Sequence, residues 1–280
     1  MKNKNKKKVE MEKVDSCLYD HAYYMSNNIG YEEFKEGLKP DKINYRFRHV
    51  MQYCSFSSKK TVLDIGCGRG EIVYYAAQKG CNKAIGIDYS PAAINIARSF
   101  AAKLDKSIQD RMIFLNKDVL KLSEDDKFDY IFMIDVWEHM FDHQLTPLLL
   151  KINNLLNDNG FFIITTPNGF YERFLYPIKR IFNIPFNLFK FPLRMMRGKW
   201  KPKSVYDLVR HIFKVKPFKN DFMDKTHVNI STPYKVKRML KNAGFLTTFI
   251  FSDNSKKSFG SLFFHRKAQE MLIIARMSGK

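Results

Sequence analysis

Thr61-Val62-Leu63-Asp64-Ile65-Gly66-Cys67-Gly68-Arg69-Gly70-Glu71 is the stretch that decides how this chain folds. It reads as a short buried strand with an acid near its end, then a glycine-rich turn that opens a helix. Glycines at alternate positions let the backbone turn tightly and let a ligand approach the main chain. One strand–helix step later, Ala84-Ile85-Gly86-Ile87-Asp88 repeats the theme, a second hydrophobic strand closed by a carboxylate. Two adjacent strands ending in acids suit a nucleoside, whose ribose hydroxyls need acceptors.

Outward from this run the alternation of strand and helix continues. Strand 61–65 precedes a helix over about 70–79 that stops at Gly80. Strand 83–87 leads to Ser90-Pro91, an N-cap followed by proline at the first helical position. That helix runs to about Lys103, and strands follow at 111–115 and 128–134. A helix over Leu145–Leu156 ends near Gly160, and Phe161–Thr165 is the fifth strand. Pro233 to about Ala243 is a last helix with Gly244 as its stop, followed by strands near 245–251 and 270–276. This order predicts an α/β fold with a doubly wound, Rossmann-like parallel sheet.

The glycine run is G-x-G-x-G rather than the dinucleotide pattern G-x-G-x-x-G, and Glu71 stands beside it. A carboxylate there repels a pyrophosphate at the helix N-terminus. It does not repel a cofactor that carries a sulfonium and an ammonium. On Val62 to Gly70, with Asp88 beyond, the chain resembles the class I S-adenosylmethionine-dependent methyltransferases. The match covers residues 61–167 and 224–276. It implies a seven-stranded sheet with an antiparallel C-terminal hairpin, and S-adenosyl-L-methionine as cofactor.

The resemblance assigns cofactor contacts to Asp64, Gly66, Cys67, Gly68, Gly70, Asp88, Tyr89, Asp118, Val119 and Asp135. Asp64 or Glu71 lies near the ammonium. Asp88 accepts both ribose hydroxyls, as a bidentate carboxylate does. Tyr89 stacks on adenine, and Asp118 in Asn116-Lys117-Asp118-Val119 receives the adenine amino group; their plainer readings are a half-buried aromatic and a helix cap.

Phe128 to Met140 is the second informative run. Its strand delivers Asp135, Glu138 and His139 to the carboxyl edge of the sheet, where ligands of open α/β folds bind. The Glu138-His139 pair resembles that of ubiquinone-biosynthesis-type O-methyltransferases, and the segment is also similar to the metal-binding segment of small-RNA 2′-O-methyltransferases. Methyl transfer is an in-line displacement governed by alignment, and a neutral imidazole is a natural base near pH 7. His139 with Asp135 is therefore the catalytic expectation, and Glu138, Asn168 and His227 are expected on the acceptor side. A metal is not part of this reading; its alternative ligand set is Glu138, His139, His143 and His227, with His139 and His143 one helical turn apart.

Of 280 residues, 45% are hydrophobic, enough for a sizeable core. Four cysteines without C-x-x-C spacing fit a reducing compartment and exclude a disulfide framework. No run is long and apolar enough to predict a transmembrane helix. The net charge of +20 is concentrated: residues 171–220 hold 13 Lys or Arg against Glu172 and Asp207. Four divisions follow: a basic disordered tail (1–14), an N-terminal helical cap (15–57), a methyltransferase core (58–169 and 221–280) and a basic, aromatic helical insertion (170–220). The insertion reads either as a lid packed on its own phenylalanines or as a docking element for an anionic membrane. The expected acceptor is a small or lipid-linked molecule at the cytoplasmic membrane face. RNA is the alternative partner, and a non-catalytic cofactor-binding scaffold the third reading.

Overall fold

The structure is a computed structural model that describes residues 13–26, 30–39, 42–175, 204, 225–252 and 270–278. Most of the tail and nearly all of the 170–220 insertion therefore lie outside the described residues.

Seven strands form one sheet in the order β3-β2-β1-β4-β5-β7-β6. They are β1 Thr61–Ile65, β2 Lys83–Asp88, β3 Met112–Asn116, β4 Phe128–Ile134, β5 Leu156–Pro167, β6 Phe245–Ser252 and β7 Glu270–Met277. β1 to β5 pair in parallel, and β7 inserts antiparallel between β5 and β6. The predicted sheet and its C-terminal hairpin are both present. Strand order reverses between β1 and β4, so a crevice opens beyond Ile65 and Ile134, where α/β folds bind ligands.

Both sheet faces are covered, which is why the central strands are nearly continuous hydrophobic runs. Leu63, Ile131, Met133 and Trp137 pack on one face with helices α7 (Asp142–Leu155) and α8 (Pro233–Asn242). Val62, Phe132 and Ile163 pack on the other with α4 (Glu71–Gln78), α5 (Pro91–Ala101) and the short α6 (Lys106–Gln109). Ser90 caps α5 as expected, its hydroxyl accepting from Ala93 N–H at 3.3 Å.

Four details differ from the sequence reading. α7 begins at Asp142 because Gln144 reaches back to the Phe141 N–H at 3.0 Å. β5 starts at Leu156, through the polar Asn157-Asp158-Asn159-Gly160 that reads as a turn, with a register shift against β4 between Phe128 and Tyr130. The cap is helical only in short pieces: α1 (His21–Tyr24), α2 (Tyr31–Lys35) and α3 (Tyr45–Met51), the first and third opened by Asp20 and Asn44 caps. Val14, placed in the tail by the sequence reading, is buried.

Candidate active site

A cavity of about 940 Å³ occupies the crevice. Its floor is the turn after β1. Gly66 has φ +73°, and a Cβ there would lie 2.4 Å from Val136 Cγ2. The turn can thus approach the end of β4 only with glycine at this position. Gly68 has φ +50°, its N–H donates to Asp88 Oδ2 at 3.0 Å, and the Tyr24 ring lies over it.

The acids sit where the sequence reading places them. Asp64 and Asp88 are buried and line the cavity. Burial, with Glu71 and Asp88 nearby, pushes the Asp64 carboxyl well above the usual range. No hydrogen bond to it is made among the described residues. Asp88 accepts from Ser90 N–H at 2.8 Å as well as from Gly68. Burial raises it to about 6, against the opposing effect of these donors. Buried Glu71 is paired with Arg69 at 2.6 Å. A protein of net charge +20 thus lines this end with carboxylates, two of which carry too little positive charge beside them. These residues fit S-adenosylmethionine: Asp64 faces an unmet cation, Asp88 presents acceptors, and the glycines leave room for the chain of the methionyl group.

Cys67, Tyr89, Asp118 and Val119 also line the cavity. The Asp118 side chain caps the turn that follows, accepting from Leu120 N–H at 3.0 Å, so the cap and the cavity wall are the same residue. Gly70 is corrected: it is not among the lining residues, and a Cβ there would strike Phe114 at 2.7 Å, so its glycine serves packing.

The far end is built on Trp137. Its indole is fully buried and donates to Ser231 Oγ at 3.1 Å. That anchor turns the next two side chains, Glu138 and His139, into the cavity. A loop strapped across them, by Asn229 N–H to Glu138 O and Asn229 Nδ2 to Met140 O, both 3.0 Å, carries His227 to His139. Their rings meet edge to face at 4.8 Å. Glu138 accepts from Thr166 Oγ1 at 3.0 Å; burial, then Asp135, raises its carboxyl to about 8. His139 is held down to about 4 by burial and then by His227, so its imidazole is neutral at pH 7. Its Nδ1 lies 3.1 Å from the Thr226 carbonyl, which can only accept. The proton therefore sits on Nδ1, and Nε2 keeps its lone pair.

Asp135 has φ +54°, a left-handed conformation costly for a residue with a Cβ. Thr165 holds it there: Asp135 N–H donates to Thr165 O at 3.1 Å, and Thr165 Oγ1 donates to Asp135 Oδ1 at 2.9 Å. Arg46 of α3 pairs with both Asp135 and Glu270. Asp135 is therefore occupied as a strut between cap and sheet rather than poised as a base.

Glu138, His139 and His227 place ligand atoms within 4.8 Å of one another. His143 does not join them; it stacks on Phe141. Residues 137–139 are a 3₁₀ turn and α7 starts only at Asp142, so the expected helical spacing from His139 to His143 does not exist. Asn168 is also corrected. It is fully buried, is not a lining residue, and its Oδ1 accepts from Phe170 N–H at 3.0 Å in the turn after β5.

Sequence reasoning missed Tyr19, Tyr23, Tyr24, Arg69 and Glu270; Arg46, within the expected helical cap, joins them. All six line the cavity. The density of tyrosines over 19–24 was the available signal. Buried Arg69 donates to Tyr24 O at 2.7 Å and lies over the Phe34 ring, pinning the cap to the glycine turn.

The chain resembles known methyltransferases in sequence and in fold. A family model described as "Methyltransferase domain" matches residues 56–244. The chain is 34% identical over 116 residues to an (S)-tetrahydroprotoberberine N-methyltransferase of Eschscholzia californica, covering 40% of this chain and 32% of that protein. It is 28% identical over 137 residues to a ubiquinone biosynthesis O-methyltransferase of Rickettsia typhi, covering 49% and 53%. The chain thus spans about a third to a half of the length of these curated relatives. In fold it is similar to a chain from the complex between the Haloferax volcanii Trm112 methyltransferase activator and a methyltransferase. That match has TM-score 0.57 and 14% identity, and covers 92% of this chain and 97% of that one.

Proposed function

The chain belongs to the class I S-adenosylmethionine-dependent methyltransferases, and from that premise we propose that it methylates an oxygen of a small-molecule acceptor, with His139 as the base. Lipid-linked, isoprenoid and glycan-type molecules are the acceptor classes that fit. The observation that carries the reading is the His139 imidazole in the cavity wall, with Nδ1 turned to the Thr226 carbonyl so that Nε2 is the nitrogen left to act as a base. When bound, the cofactor supplies an electrophilic methyl group on its sulfonium. Asp88 and the glycine turn hold the nucleoside, and Asp64 balances the positive charge. His139 Nε2 takes the acceptor hydroxyl proton, and the Asp135 carboxylate stabilises the imidazolium that forms.

The composition of 170–220 supports acceptors that reside at an anionic membrane surface on the cytoplasmic side. No helix among the described residues is long and apolar enough to cross a membrane, so association through that segment would be peripheral.

A second reading is metal-assisted methylation of an RNA 2′-hydroxyl. The meeting of Glu138, His139 and His227 favours it, because carboxylate and imidazole groups suit Mg²⁺, Mn²⁺ or Zn²⁺.

Incubation with methyl-labelled cofactor and a cell extract, followed by fractionation, separates the readings. Label in the organic phase that survives chelation supports the first. Label in RNA that is lost on chelation replaces it with the second. Product hydrolysis distinguishes O- from N-methylation.

A further inference from the structure

Tyr19 belongs to the cap, in sequence far from either motif, yet it touches both halves of the cavity. Its hydroxyl lies 2.9 Å from His139 Nδ1, and the two rings meet edge to face at 5.6 Å. Because Nδ1 carries the proton, this single N–H is shared between the Tyr19 oxygen and the Thr226 carbonyl, and both accept. The Tyr19 hydroxyl also shares a hydrogen bond with that of Tyr89, and with Nδ1–H donating to its oxygen its own hydrogen is left for Tyr89. The Tyr19 and Tyr89 rings are 5.7 Å apart at 64°. The Tyr19 main chain is tied to the same place: Ser90 Oγ donates to Tyr19 O at 2.7 Å, and Ser90 N–H donates to Asp88 Oδ1.

We infer that Tyr19 is a positioning residue, the middle of a hydrogen-bond relay that runs from His139 Nδ1–H through the Tyr19 hydroxyl to Tyr89. The relay fixes the orientation of the imidazole and joins it to the residues flanking Asp88 at the nucleoside end. Its catalytic meaning rests on the proposed reading of His139; the relay itself does not. It gives the cap a task beyond covering the cavity, since a ligand that moves Tyr89 moves the base. Tyr19 itself is buried, and the second tyrosine is 37% exposed at the cavity wall, where such a ligand reaches it.

The test uses the full chain labelled with ¹⁵N, free and with S-adenosylhomocysteine, and reads the histidine ring nitrogens. His139 is assigned by the signal lost in His139→Gln. The expected spectrum has Nδ1 protonated and Nε2 unprotonated, and both Tyr19→Phe and Tyr89→Phe shift the His139 Nδ1 signal. Tyr19→Phe keeps the ring packing; if that variant fails to fold, half-exposed Tyr89 still provides the test. Where transfer is measurable, each variant lowers kcat about five- to tenfold, the equivalent of one hydrogen bond, with the cofactor KM within about twofold. The double variant falls no further than the singles, since either change breaks the same chain. A proton on Nε2, a His139 signal unmoved by Tyr89→Phe, or losses that multiply in the double variant overturns the relay. The expected shifts in a protein that transfers no methyl group would leave the relay standing and remove the functional reading.

Discussion

Gly66 and Val136 meet where the turn after β1 crosses the end of β4, with room for a hydrogen but not a methyl group between them. The contact joins the cofactor floor to the loop that carries Glu138 and His139, so one position reports on both. Gly66→Ala adds a left-handed backbone penalty of about 1–2 kcal/mol to overpacking of about 1–3 kcal/mol. We expect a lower Tm and loss of S-adenosylhomocysteine binding. Val136→Ala in the same chain restores part of the Tm but not the backbone term. Full rescue by Val136→Ala would show that strain at φ +73° contributes nothing.

Removal of the base should separate chemistry from binding. His139→Ala is expected to lower methyl transfer by roughly 10²–10⁴-fold, the usual contribution of general-base catalysis, with cofactor affinity nearly unchanged. Parallel loss of affinity would place His139 in cofactor binding instead.

The buried acids set the pH dependence of stability. Glu138 holds its proton to about pH 8 in the folded protein, whereas an unfolded glutamate releases it near 4.5. The folded state thus binds more protons between these values, and stability falls as pH rises through them. His139, lowered to about 4, acts oppositely, but only below the unfolded value of 6.5. Between pH 6.5 and 8 the acids alone operate, so Tm of the ligand-free protein should drop across that window. Glu138→Gln should flatten the slope, and an unchanged slope would contradict the assigned protonation of Glu138.

Arg46 joins the cap to two carboxylates, one just past the end of β4 and one at the start of β7, and little of its side chain is exposed. Arg46→Met leaves Asp135 and Glu270 without their cation, which for this partly buried group costs less than the about 3–5 kcal/mol of a fully buried pair. Urea unfolding should show that loss, with partial recovery in Arg46→Met/Asp135→Asn. Equal stability of the single variant and the native protein would mean that the pair is dispensable.

The sheet and the cofactor floor were legible because their signals are local: alternation of strand and helix, alternate glycines, and acids at strand ends. Asp64, Gly66, Gly68 and Asp88 needed no tertiary knowledge to find. The cap was not legible in this way. Tyr19 and Arg46 reach the cavity only through packing, with neighbours 120 and 89 residues away. Glu270 was hidden because β7 runs antiparallel, so its first residue, not its last, lies at the ligand-binding edge. Asn168 resembled a ligand-facing residue at a strand end, but its amide oxygen is captured by the next turn. His143 lost its helical spacing to the extended link at Met140 and Phe141.

The most direct measurement is calorimetric titration of the full chain with S-adenosylmethionine, alongside NAD and the Asp88→Asn variant. One site per chain is expected for S-adenosylmethionine and none for NAD. Asp88→Asn should weaken binding about ten- to a hundredfold, the equivalent of a charge-assisted hydrogen bond. Binding of NAD in preference to S-adenosylmethionine, or affinity unaffected by Asp88→Asn, would contradict the assignment of this cavity.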